Sequence, residues 1–456
     1  MATIYYTGAA VNEPYKCNLT IGGTWAASDT VTVSINSRDL TINVGTTAYT
    51  TAAVATKIWA AFSAGRFDDN LQDDESRNCG GQEITVFGGL QATVSGSVVS
   101  FFGPPGIPYT LAFTETSSSG TVSGATVQAA TGSAHWDNGD NWSGSAVPDD
   151  GDKLWFDHRA GGRSCQYGLP VSGDTLKIDE LHVTEGYTGM LGLPATNNYT
   201  GRPYSEYRDR YVVIRNAAAE VADIIIGEKD NGGTGPRLVN VEHLGVSSAT
   251  DIAFAVSVRK TGNALQGERA AVNLELDEDN LLNKVTVERG SVSIDDRPQA
   301  AGSSSNIFQL VVLSGGDVYL GVDVTFAADA RLTVTGGKLY AACKIQQDIT
   351  LKDATTVLLD GVNGKELNVY GGTCAYSLGT GASVVPSSIS QSGTISFEGS
   401  CVTCDFGACD PWIAYAGAKI WDRSGSITGY PAIQCPNGIE TITLNLGGGA
   451  TVLPSH

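Results

Sequence analysis

No stretch of this chain reaches the roughly 20 consecutive apolar residues that a membrane-spanning helix requires. Charge is scarce too, at 17% of the 456 residues, while Gly reaches 56. Little charge, much Gly and abundant Val, Thr and Ser favour strands joined by tight turns over helices. Basic residues are the scarcer sign, 28 against 48 acidic, for a formal charge of −20. That field repels phosphate backbones and anionic membrane, which argues against nucleic acid or a membrane as the main partner. It would keep a crowded assembly soluble and could draw divalent cations or a basic partner surface. The opening residues Met1–Tyr6 have neither the basic nor the apolar part of a signal peptide, so synthesis in the cytoplasm without conventional export is expected. Nine Cys, an odd number thinly spread, fit reduced and mostly buried thiols better than a disulfide framework.

Catalytic signatures are missing as well. The five His are His135, His158, His182, His243 and His456, and none stands in a His-Glu-x-x-His or His-x-Glu pattern. There is no Gly-x-Ser-x-Gly elbow, phosphate loop or dinucleotide fingerprint. The Gly-rich run Asn231–Gly235 lacks the Lys-Ser/Thr ending of a phosphate loop and reads as a turn.

What is present is period-two alternation. At ~150 residues per domain the length corresponds to about three units, fewer if the chain grows by stacking. A first unit, residues 1–131, shows short strand runs at Asn18–Gly23, Asp29–Asn36 and Asp39–Val44. One helix comes next, capped by Thr50 or Thr51, with Val54, Ile58 and Phe62 four apart, ending at Gly65. Further strands are expected at Glu83–Gly88, Gly96–Phe102 and Tyr109–Thr114, with a turn at Pro104–Gly106; Ser117–Gly132 is a linker or an edge strand. The expected product is a small α+β module.

Residues 132–164 hold Trp136 and Trp142 among Asn, Gly and Asp turns, then Pro148-Asp149-Asp150-Gly151-Asp152 leading to a strand with Leu154 and Phe156 on one face. This reads as the cap over the open first turn of a solenoid. Over 165–456 a Gly is repeatedly succeeded by a short β run, as at Gly290, Gly315-Gly316, Gly336-Gly337, Gly371-Gly372 and Gly399. Spacings of about 21 to 35 residues suit the coils of a parallel β-solenoid, β-helix-like, with uneven loops and a C-terminal cap. The fold class expected is therefore mainly β: an α+β module, an entry cap, then a solenoid body.

Several residue groups are candidates for chemistry, each with a plainer alternative. Cys401, Cys404, Cys409 and Cys435 could hold zinc as four thiolates, pair as a disulfide, or remain buried free thiols. On one continuous strand Cys401 and Cys404 would face opposite sides. Asp137, Asp140, Asp149, Asp150 and Asp152 could seat calcium or serve as turn and capping residues. The run Asp68–Glu75 is a solvated acidic loop or another calcium seat, without EF-hand spacing. Tyr199, Tyr204, Tyr207 and Tyr211, with Arg202, Arg208 and Arg210, could contact a partner or glycan; within that set Tyr204, Tyr207, Arg208 and Arg210 stand foremost. A loop folded over the flank of the body would use the same residues for packing. No catalytic or cofactor residue is assigned, so the chain is not expected to be an enzyme.

Ile21-Gly22-Gly23-Thr24, the 29–35 strand, the Ala-rich helix and Gln128–Gly132 resemble a small module in uncharacterised proteins of tailed bacteriophages and prophages. The Trp-x-x-x-x-Asn-Trp and Pro-x-x-Gly-Asp segment is similar to the entry of solenoid domains in those proteins and in bacterial surface proteins. The stretch from Gly192 to Arg208 is similar to the segment next after that entry in the same phage proteins. The resemblance covers about the first half of the chain and implies a virion structural protein: a head decoration, fibre or tail appendage. By analogy a homotrimer is expected, made in the host cytoplasm and located in the virion, with itself, other virion proteins and host glycan as partners. A tailspike enzyme that degrades polysaccharide and a bacterial surface adhesin are the alternatives.

Overall fold

The computed structural model of the chain describes residues 2–44, 47–63, 89–171, 176–196, 204, 208–216, 223–243, 255–276, 283–294, 306–343, 348–352, 356–359, 362–363, 366–370, 373–376, 382–385, 388–397, 402–405, 412–422, 427–428, 433–436 and 443–446. The expected strand at Glu83–Gly88 and the acidic run Asp68–Glu75 lie outside the described residues. The chain is mainly β, dominated by a large, curled, parallel sheet. No helix among the described residues is long and apolar enough to cross a membrane.

Alternation decides the early strands. In Pro14–Gly23 the buried set is Tyr15, Cys17, Leu19 and Ile21, and in Thr30–Ile35 it is Val31, Val33 and Ile35. Pro14–Gly23 lies between Val98–Pro105 and Gly120–Gln128 in a four-stranded antiparallel sheet completed by Gln91–Ser95. Thr30–Ile35 is the middle strand of a second antiparallel sheet, flanked by Arg38–Asn43 and Leu111–Glu115. The helix Thr51–Ser63 starts where the Thr50 hydroxyl accepts the Ala53 N–H at 3.2 Å, and it buries Val54, Ala55 and Ile58. These residues and Trp25 share one apolar cluster with both sheets. Ser117–Gly132 resolves as the edge-strand alternative, and the strand ending in Pro105 runs through the expected turn to Gly106 at φ +76°.

The Trp segment packs as its composition implies. Trp136 and Trp142 meet edge to face at 4.8 Å, and Tyr6 and Phe156 close the same cluster. Buried Asn141 donates through Nδ2 to the Gly132 and His135 carbonyls at 2.7 Å each, which fixes the turn between the two indoles. The strand Asp152–Phe156 then points Leu154 and Phe156 inward, fully buried.

That strand is sandwiched in parallel between Thr3–Tyr6 and Leu176–Thr184. From Leu176–Thr184 one ladder continues through Asp223–Glu228, Ala255–Val258, Lys284–Val287, Asn306–Val312, Thr325–Thr335 and Asp348–Lys352. A second, interleaved in sequence, runs from Val212–Asn216 through Leu238–His243, Val272–Leu276, Gly290–Ile294, Gly316–Leu320 and Lys338–Ala341 to Thr356–Leu359. From Val212–Asn216 on, each of these strands therefore bonds the next but one, whereas Asp152–Phe156 bonds the very next, Leu176–Thr184. After Val362–Asn363 a third parallel ladder appears, and pairing steps by three strands instead of two.

Register stacks like on like. Leu154, Leu181, Ile224, Val256, Val285, Leu310 and Leu332 form one column; Phe156, Val183, Ile226, Val258, Val287, Val312 and Val334 form another. All fourteen side chains are buried. At ~1.5–3 kcal/mol for each aliphatic side chain removed from water, these columns are the main source of cohesion. The recurrent Gly motif marks successive positions of the second ladder: Gly290 pairs Gly316, and Val292, Val318 and Leu339 stack in line. The Gly371-Gly372 and Gly399 occurrences lie outside the described residues.

Candidate functional site

Among the described residues, a dense group of titratable side chains runs across the strands Asp152–Phe156, Leu176–Thr184 and Asp223–Glu228 to Arg259, just after Ala255–Val258. Parallel pairing brings these positions together. Inward positions are aliphatic, so the alternate positions Lys153, Trp155, Glu180 and His182 face the other way. His182 lies flat on Trp155, with centroids 4.0 Å apart and planes 5° from parallel. Its Nδ1 is 3.0 Å from a Glu228 oxygen and its Nε2 is 3.0 Å from a Glu180 oxygen. Both ring nitrogens therefore face a carboxylate oxygen, one on its own strand and one on the next.

The outer oxygens of that pair are taken as well. Lys153 Nζ donates to Glu180 at 2.5 Å, and Arg259 Nη1 donates to Glu228 at 2.9 Å. The Lys153 hydrogen bond holds the Glu180 carboxyl below its ordinary value, against a smaller opposing effect of burial; the bond raises the Lys153 ammonium in turn. Asp223, in register with Glu180, is shifted the other way, first by burial and then by the Glu180 charge.

Beyond the strand ends, Asp157, His158 and Asp230 place three metal-capable atoms within 4.8 Å of one another, the one such group among the described residues. Their hydrogen bonds are already assigned. Buried Asp157 accepts from the Arg159 N–H at 2.9 Å and pairs with its guanidinium at 3.0 Å. Asp230 takes the His158 ring at 2.7 Å and the Thr184 hydroxyl at 3.1 Å. Burial works against the Asp230 charge, but those bonds, with the His158 and Asn231 N–H groups, outweigh it and bring its pKa down to about 2. Lys260 Nζ ties this end to Glu185 at 2.9 Å. The cluster can clamp neighbouring strands.

The fold scatters the sequence-derived candidates. Cys401 and Cys409 lie outside the described residues. Cys404 is on the strand Val402–Asp405 of the third ladder, whereas Cys435 comes just after Ile433–Gln434 in the first and packs on the main core as a free thiol. Cys17, Cys165 and Cys343 are buried. Asp152 accepts from the Asp149 and Ala2 N–H groups, Asp150 from Lys177 N–H, Asp149 from Asp150 N–H, and Asp137 lies 3.4 Å from His135 Nδ1. Asp140 occupies the short 3-10 turn capped by Asn138.

Among the Tyr and Arg candidates, Tyr204 and Tyr211 are buried. Arg210 forms a part-buried ion pair with Glu268 at 3.2 Å and donates to the Leu193 carbonyl. Arg208 sits over the Tyr167 ring and donates to the Pro108 carbonyl. These contacts are the packing alternative for Tyr204, Arg208 and Arg210. Tyr199, Arg202 and Tyr207 lie outside the described residues.

The charged cluster is not legible in the sequence, because Lys153, Glu180, Glu228 and Arg259 are separated by tens of residues and meet only through pairing. The one signal is local: polar or aromatic residues at alternate places in two strands whose other places are aliphatic. Comparison with known proteins yields no matching family model, curated protein or solved structure.

Proposed function

We propose that this chain is a structural protein of a tailed-bacteriophage particle, with a parallel β-solenoid body and its N-terminal sheets and helix as the attachment module. The observation that carries the structural part is the pairing rule. A chain that coils lays each strand on its counterpart one turn earlier, which yields parallel bonding to the next strand but one where a turn has two strands and to the third where it has three. In-register apolar columns then make a stiff rod whose length comes from stacking. The charged cluster supports the same reading, since its Lys153–Glu180, His182–Glu228 and Arg259–Glu228 pairs each tie one strand to its neighbour. The phage assignment rests on the resemblance of the N-terminal and Trp segments to phage proteins, and the trimer on analogy.

The test is mass spectrometry of purified particles. Recovery of the chain in stoichiometric copies supports the reading: hundreds mean a head decoration, a dozen or fewer a tail structure. Its absence from particles, or its presence on uninfected cells, overturns it. Incubation with host polysaccharide checks the enzymatic alternative, which released oligosaccharide would favour. Native mass spectrometry gives the oligomeric state.

A further inference from the structure

A groove runs along the flank of the Trp segment. Its first cleft, about 330 Å³, lies between the Trp136–Asp137 turn, the Pro148–Asp150 turn and the segment from Gly168 to Val171. A second cleft of about 240 Å³ shares Gly168, Leu169 and Val171 with it and extends to Arg208 and Asp209. The two clefts adjoin along Gly168, Leu169 and Val171, and each is of a size suited to part of a small ligand or a short stretch of peptide.

Two properties define what fits. The walls mix apolar with polar surface, and their apolar part includes Val147 and Val171, 40% and 37% exposed, two of the small set of large aliphatic side chains left in solvent among the described residues. The rim is acidic: Asp137, Asp149 and Asp150 line the first cleft and Asp209 the second. The Asp137 side chain is 64% exposed, and its hydrogen bond with His135 holds the carboxyl below its ordinary value. Gly168 is at φ +61°, and any side chain there would run into the Asp137 carboxylate; a bare backbone is what lets that carboxylate stand at the groove. The basic residue lining the groove, Arg208, is committed to the Tyr167 ring and the Pro108 carbonyl. Lys177, 3.8 Å from Asp150, is the nearest other cation described there.

We propose that this groove binds an extended, basic peptide segment of another protein, with Lys or Arg side chains at the aspartates and aliphatic side chains between Val147 and Val171. Charge selects against a second copy of this chain, which carries −20. The proposal does not depend on the virion reading.

The experiment uses the full chain and a capped fluorescent heptapeptide alternating Lys and Val, with a Glu-for-Lys peptide as control, monitored by anisotropy. Expected is saturable binding of the Lys peptide, at least tenfold tighter than the Glu peptide and weakening as salt rises from about 50 to about 300 mM. Asp137→Asn with Asp150→Asn should weaken it tenfold or more. Because both carboxylates also hold local structure, Asp209→Asn with Val171→Ser, two exposed positions, is the second test and should weaken it at least threefold with an unchanged thermal midpoint. Absent or non-saturable binding, equal binding of both peptides, or insensitivity to the second variant overturns the proposal. So does displacement of the peptide by calcium chloride at an ionic strength where sodium chloride leaves it bound, which would make the groove a cation site.

Discussion

His182 is stacked face to face on Trp155 and hydrogen-bonded in its own plane to Glu180 and Glu228, so one imidazole joins three successive strands. Removing it leaves two carboxylates on a vacated ring position, with Lys153 and Arg259 still on their outer oxygens. His182→Ala should therefore destabilise by about 2 kcal/mol, the range for losing hydrogen bonds to charged groups. Adding Glu228→Gln should recover part of the loss, because repulsion is relieved. Chemical denaturation of both variants checks this; a double variant no more stable than His182→Ala contradicts it.

Acid should loosen this edge in a defined window. Asp230 has a folded value of about 2, below the ordinary 3.8, and Glu180 is also depressed. Carboxyls of this kind stabilise the fold fully above about pH 4, and the contribution drains away as pH falls toward 2. Asp223 is raised, so its neutralisation on acidification favours the fold and blunts the first part of the loss. Thermal midpoints from pH 5 to pH 2 should fall less steeply for Asp230→Asn than for the unaltered chain. An unchanged slope counts against the assignment.

Arg210 and Glu268 form one part-buried ion pair, their side chains 11% and 6% exposed, and Glu268 also accepts the Ala195 N–H. Truncating one partner leaves the other charge short of its hydrogen bonds, at about 1.5–3 kcal/mol. Glu268→Ala should speed exchange of the Leu193 amide, which bonds the Arg210 carbonyl, while the amide of Val285 stays protected. Hydrogen-exchange mass spectrometry separates these outcomes.

Two glycines with similar backbones isolate a close approach from backbone strain. Gly227 and Gly232 have φ of +75° and +82°. A methyl at 227 would overlap the Lys260 carbonyl, whereas one at 232 meets nothing within 4 Å. Gly232→Ala should cost about 1 kcal/mol, the left-handed penalty alone. Gly227→Ala should cost at least about 3 kcal/mol, because overlap adds to that penalty, read as a lowered midpoint or lost soluble yield. Equal effects would refute the distinction.

Much of this architecture is legible in the residues. Period-two alternation locates Pro14–Gly23 and Thr30–Ile35, and the four-residue spacing of Val54 and Ile58 marks the helix, because each pattern comes from burying one face. The inward pair Leu154 and Phe156 can be read for the same reason, as can the Gly motif that stacks Val292 on Val318 and Leu339. Which strand succeeds which in a ladder cannot be read. Gly290 and Gly316 are partners while the intervening strand Asn306–Val312 belongs elsewhere, and nothing local distinguishes the two ladders. The cluster around His182 is hidden for that reason. Thr3–Tyr6 likewise groups with the first unit by sequence, although its hydrogen bonds go to residues 150 positions away.

That last pairing bears on how the molecule is made. Thr3–Tyr6 covers the free edge of Asp152–Phe156, so the strand at the front of the stack leaves the ribosome long before the one it shields. At ~5–20 residues per second this is a wait of roughly 8 to 30 seconds, during which the antiparallel sheets can close on their own. Until the two ends meet, an unpaired parallel edge is open to any other strand, including the same edge of a neighbouring nascent chain.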